Sequence, residues 1–130
     1  MFTHATMTDD QPDRPAWIHF IRYYLPPMLF AAAIIGVSSI SNLRTPEVRV
    51  IAFDKLAHLL EYAVFAFLLY RAFANRRGSA RIGRAVWYAA LVVSLFAVFD
   101  ETYQRFIPGR YSSGLDIAAD LLGAFLVLAF

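Results

Sequence analysis

YYLPPMLFAAAIIGVSSISNL, residues 23–43, runs for 21 positions without a charged side chain. A helix rises 1.5 Å per residue, so this stretch reaches about 32 Å, enough to cross the ~30 Å hydrocarbon core of a bilayer. Working outward, Trp17, Phe20, Tyr23 and Tyr24 precede it as interfacial anchors. Residues 1–22 form a polar tail carrying Asp9, Asp10, Asp13 and Arg14. Downstream, a second apolar segment over 55–74 contains His58 and Glu61. A third covers 82–100 and is free of charge from 85 to 99, and a fourth begins near Leu115 and contains Asp120. The reading is an all-α integral membrane bundle of four transmembrane helices, with the tail at 1–22 and the helical domain at 23–130.

Composition agrees. The hydrophobic fraction is 59% of 130 residues and the mean hydropathy is +0.51, well above an ordinary globular chain. A soluble bundle with short buried helices would need polar outer faces that these segments lack. A cleavable leader is a rival for the first segment, because Arg22 precedes it and Val37-Ser38-Ser39 resembles a small-residue cleavage site. Its apolar stretch exceeds the ~7–15 residues of a usual signal core, which favours an uncleaved anchor. The absence of cysteine removes disulfides and thiolate metal sites. A pI near 9.2 does not point to nucleic acid, since the basic residues sit between apolar spans rather than on a soluble face.

Those basic residues set the orientation instead. Arg71, Arg76, Arg77, Arg81 and Arg84 fall around one turn with no acid among them, which marks that turn as cytoplasmic. Alternation then places both termini inside and the loops at 44–54 and 101–116 outside. The tally is 7 basic residues inside (with Arg14 and Arg22) against 5 outside (Arg44, Arg49, Lys55, Arg105, Arg110).

Three polar sets lie toward the outward ends of the spans. Asp54, His58 and Glu61 fall within about 60° on one helical stripe, beside Lys55 and Tyr62. Asp100, Glu101 and Gln104 lead through Arg105 into Pro108-Gly109-Arg110, and Asp116 and Asp120 share a stripe with Gly123. A carboxylate at the bilayer centre costs at least ~2.5 kcal/mol, so such groups turn inward and find partners. The three sets are expected to converge on one outward-facing pocket. Local roles compete with this reading: Asp54 as an N-cap, Ser113 with Asp116 as a capping box, and Gly123 as a close-packing position.

Asp54-Lys55-Leu56-Ala57-His58 with Tyr62, then Asp100-Glu101-Thr102-Tyr103-Gln104 running into Phe106-Ile107-Pro108-Gly109-Arg110, then Asp116 with Gly123, closely resembles the VanZ-like family of membrane proteins over roughly residues 50–130. That family usually carries asparagine where this chain has Asp120. The resemblance implies a multi-pass protein of the bacterial cytoplasmic membrane and cell envelope, in a family named for a protein that lowers susceptibility to teicoplanin. Three functions are compatible with it. One is a binding factor in which Lys55, Tyr62, Asp100, Glu101, Gln104, Arg110, Asp116 and Asp120 receive a membrane lipid, a cell-wall precursor or a lipoglycopeptide, with Arg105 as a further cationic contact. The second is an intramembrane enzyme with His58 as general acid or base, oriented by Asp54 or Glu61, and a divalent cation held by Asp100, Glu101 and Asp116. The third is a proton or ion pathway.

Overall fold

A computed structural model describes residues 15–41, 48–75, 79–110 and 112–130, with the helix at 48–52 and 79–81 described by its backbone alone. The acidic tail and the arginines Arg44, Arg49, Arg76, Arg77 and Arg81 therefore lie wholly or in their side chains outside the described residues.

Five helices follow in order: α1 Ala16–Tyr23, α2 Leu25–Ser38, α3 Val48–Ala74, α4 Ser79–Gln104 and α5 Gly114–Leu128. Helix begins at Ala16, ahead of the charge-free stretch, and a break at Tyr24 divides the first apolar segment in two. Proline explains the break. Pro26 has no N–H to offer the carbonyl of Arg22, four residues earlier. Arg71 Nη2 donates to that carbonyl instead, at 3.0 Å.

Side-chain pairs fix the directions of the helices. Lys55 meets Asp116 and His58 meets Asp120, so α3 and α5 run parallel with a register offset near sixty residues. Phe65 packs tilted against Phe96, and Phe73 edge-on against Tyr88, so α4 runs antiparallel to α3. Phe30 against Phe65 packs α2 on α3, and Ser39 against Tyr103 brings the end of α2 to the end of α4. Helix α3 is the hub, packing most extensively on α5, then on α4, then on α2.

The interior combines small residues with a few aromatics: Ala66, Ala89, Ala97 and Ala124 around Tyr62, Phe65 and Val93. Small side chains bring helix backbones close, as membrane bundles require. Gly123 is the extreme case, since a Cβ there would run into the Leu59 carbonyl. The outer surface is apolar, with Leu60, Phe67, Leu91, Leu95, Val98, Phe99, Leu122 and Phe125 all exposed, whereas Asp100, Glu101, Asp116 and Asp120 are buried. Polar inside and apolar outside is the distribution a bilayer selects and water rejects.

Three helical segments are long and apolar enough to cross a membrane, Ala16–Ser38, Phe53–Ala74 and Ile82–Gln104. The expected fourth span is shorter than its counterparts. Helix α5 has 15 residues, about 22 Å at 1.5 Å each, so length sets it apart from the other three.

Candidate functional site

The predicted stripe on α3 forms as expected, with Asp54, His58 and Glu61 all lining one cavity of about 180 Å³. Helix α3 begins at Val48, which places Asp54 in its second turn and removes its N-cap role. Ser38 from the end of α2, Gln104 from the end of α4 and Arg110 from the following loop complete the polar lining. The three sequence sets thus meet at one end of the bundle.

Each pairing is specific. Lys55 Nζ forms an ion pair with Asp116 and lies 3.4 Å from Asp54 Oδ2. His58 Nδ1 lies 2.9 Å from Asp120 Oδ1, and Asp120 is only 1% exposed. Against a carboxylate acceptor the ring nitrogen donates, which in a neutral imidazole leaves the lone pair on Nε2. The orienting partner of His58 is therefore Asp120, not Asp54 or Glu61. Asparagine at that position would still offer an oxygen to the same N–H, without the charge.

Asp100 and Glu101 occupy different positions from those a shared cation would need. Asp100 Oδ2 accepts from Gln104 Nε2 at 3.0 Å, and the same amide reaches Ser38 Oγ at 3.2 Å. Glu101 Oε1 accepts the backbone N–H of Ser113. Ser113 caps α5 through its own hydroxyl, which accepts from Leu115 N–H at 3.1 Å. The capping box is thus completed from α4: Glu101 takes the N–H that Asp116 would take in a local box, and Asp116 is released to Lys55. The grouping whose ligand atoms lie within 4.8 Å of one another is Asp54, His58 and Asp116.

The loop after α4 presents Arg110. Ile107-Pro108-Gly109-Arg110 closes with Arg110 N–H donating to Ile107 O at 3.2 Å, and Gly109 has φ 77°. Proline followed by a positive-φ glycine is the type II turn pattern. Arg110 lines the cavity, and its Nε is buried without a hydrogen-bond partner among the described residues. Arg105 is exposed and donates through Nε to Ser112 Oγ at 3.1 Å, so it braces the loop rather than entering the cavity. Tyr62 is fully buried, and its hydroxyl lacks a hydrogen-bond partner among the described residues.

The family model described as VanZ/LLP1 matches residues 2–130. The chain belongs to the VanZ/LLP1 family. No curated protein and no solved structure gives a significant match to it. Within this VanZ/LLP1 chain, sequence reasoning missed Ser38, which is 3% exposed and joins α2 to the site through Gln104. A Ser-Ser pair inside an otherwise apolar segment was the available signal. Beneath the site, Tyr62, Phe65, Phe96 and Val93 fill the VanZ/LLP1 bundle, and no ionisable residue belongs to this packed cluster apart from the Tyr62 and Tyr70 phenols.

Proposed function

We propose that this VanZ/LLP1 protein crosses the bacterial cytoplasmic membrane four times, with α5 as a shorter fourth span and both termini on the cytoplasmic side. Its cavity then faces outward and binds the phosphate-bearing head group of a lipid or of a lipid-linked cell-wall precursor. One observation carries the ligand class. Lys55 is occupied by carboxylates and His58 by Asp120, whereas Arg110 lines the cavity together with Glu61 and keeps its Nε buried without a hydrogen-bond partner among the described residues. A guanidinium is suited to a phosphate or carboxylate acceptor through paired N–H bonds. Apolar α2 and α4 surfaces beside the cavity, such as Val37 and Phe99, offer room for acyl chains. Binding of a fluorescent polyprenyl-phosphate precursor to purified protein in nanodiscs tests this, and Arg110→Ala should weaken it at least tenfold. Equal binding by wild type and variant defeats the proposal. Teicoplanin, with its acyl chain, belongs in the same assay as an alternative ligand. Because the chain lacks cysteine, single cysteines at positions 77 and 110 can be labelled directly, and they should react from opposite sides of the membrane.

An enzymatic reading is favoured by a separate observation. His58 is held by a buried carboxylate and lies in the only Asp/His grouping among the described residues with metal-ligand spacing. Two carboxylates and an imidazole suit Mn²⁺ or Zn²⁺, and a carboxylate behind the histidine is the usual support for such a ligand. The Lys55 ammonium already contacts both carboxylates, so a metal would have to displace it. Metal analysis of protein purified without chelator decides between these: stoichiometric metal that is lost in His58→Ala supports the enzyme, and metal-free wild type removes the metal-dependent branch.

A further inference from the structure

The end of the bundle opposite the cavity has a charge imbalance of its own. Every described side-chain carboxylate (Asp54, Glu61, Asp100, Glu101, Asp116, Asp120) belongs to the cavity end, while Arg22 and Arg71 meet at the other. The Arg22 guanidinium lies 5.7 Å from the centroid of the Tyr23 ring, and that of Arg71 lies 5.4 Å from the same centroid. Two like charges converge on one aromatic ring with no carboxylate among the described residues beside them. A guanidinium carries five N–H donors. The protein accounts for one Arg71 donor, through the Arg22 carbonyl. A ring quadrupole lowers the energy of each cation but does not cancel their mutual repulsion; an anion does.

The surroundings identify the anion's source. On α1, His19, Arg22 and Tyr23 form one face, and Trp17, Phe20 and Ile21 the other, each of these three being well exposed. His19 Nε2 and Asn75 Oδ1, 3.2 Å apart, tie α1 to the end of α3. Trp17 and Phe20 point outward at the start of the first candidate span, Ala16–Ser38, where aromatic side chains meet lipid head groups. We infer that Arg22 and Arg71, over Tyr23, bind the phosphodiester of an anionic membrane phospholipid. The inference is independent of what the cavity binds.

Native mass spectrometry of the full chain in mixed micelles of phosphatidylglycerol and phosphatidylcholine tests it. Wild type should retain the anionic lipid at least tenfold over the zwitterionic one, and Arg22→Gln should lose most of that preference. Arg22→Gln keeps the backbone carbonyl that Arg71 bonds, so it leaves the α1–α2 junction intact. Arg105→Gln, an exposed cation at the opposite end that stays out of the cavity, should keep the preference. Equal retention of the two lipids by wild type, or an unchanged preference in Arg22→Gln, overturns the inference. Displacement of the bound lipid by inorganic phosphate at equal concentration also overturns it, because the site would then take free phosphate.

Discussion

Replacing Gly123 by alanine isolates the contact that sets the distance between α3 and α5. The added methyl would overlap the Leu59 carbonyl, and because the obstacle is backbone it cannot rotate away. Overpacking of a tight interior typically costs about 1–3 kcal/mol, and a collision with backbone belongs at the upper part of that range. Against this stands the helix preference for alanine over glycine, about 1 kcal/mol. Gly36→Ala supplies the control, since Gly36 is also helical and nothing lies within 4 Å of its Cβ position. The propensity gain is common to both variants and cancels in their difference. Gly123→Ala should therefore be less stable than Gly36→Ala by about 1–3 kcal/mol, with Gly36→Ala at or above wild type. Thermal or detergent-titration unfolding of purified protein reads the difference. If the two variants unfold together, or Gly123→Ala is the more stable, α3 and α5 do not approach as described, and the pairings along that seam fall with it.

Three further outcomes follow from the site. Asp120→Ala should destabilise by about 1–3 kcal/mol because it strands a largely buried ring N–H, and Asp120→Asn should lose less; His58 ring ¹⁵N shifts will show whether the Nδ1 proton stays bonded. Lys55→Met leaves Asp116, 5% exposed in its side chain, without its ion-pair partner, for a loss of about 3–5 kcal/mol, and adding Asp116→Leu should restore much of it on the same unfolding assay. Glu101→Ala removes the acceptor for Ser113 N–H and should speed proteolysis within residues 105–113 severalfold, whereas Glu101→Gln should stay close to wild type.

The stripe of Asp54, His58 and Glu61 was legible because helical periodicity is a local property, and the close approach at Gly123 was legible because an inward-facing glycine on a membrane helix has few other uses. Partner choice was not local. Which carboxylate holds His58 depends on the register of α3 against α5, and no spacing within either helix encodes that offset. Asp54 looked like a cap because it precedes an apolar run, yet Val48 to Phe53 are themselves compatible with helix and extend α3 past it. Ser113 was read correctly as a cap, but its second bond arrives from α4, twelve residues upstream. The break at Tyr24 was not read from the sequence, and the guanidinium that meets the freed Arg22 carbonyl comes from Arg71, 49 residues away. Apolar length alone overstated α5.

Helix α5 carries two carboxylates in 15 residues and depends on Glu101 for its first turn. An isolated segment of that kind partitions poorly into hydrocarbon, whereas one that meets Lys55 and His58 on entry does not have to carry bare charge there. Since α3 and α4 precede α5 in the chain, the side chains that match its carboxylates and its first turn are already made when it emerges.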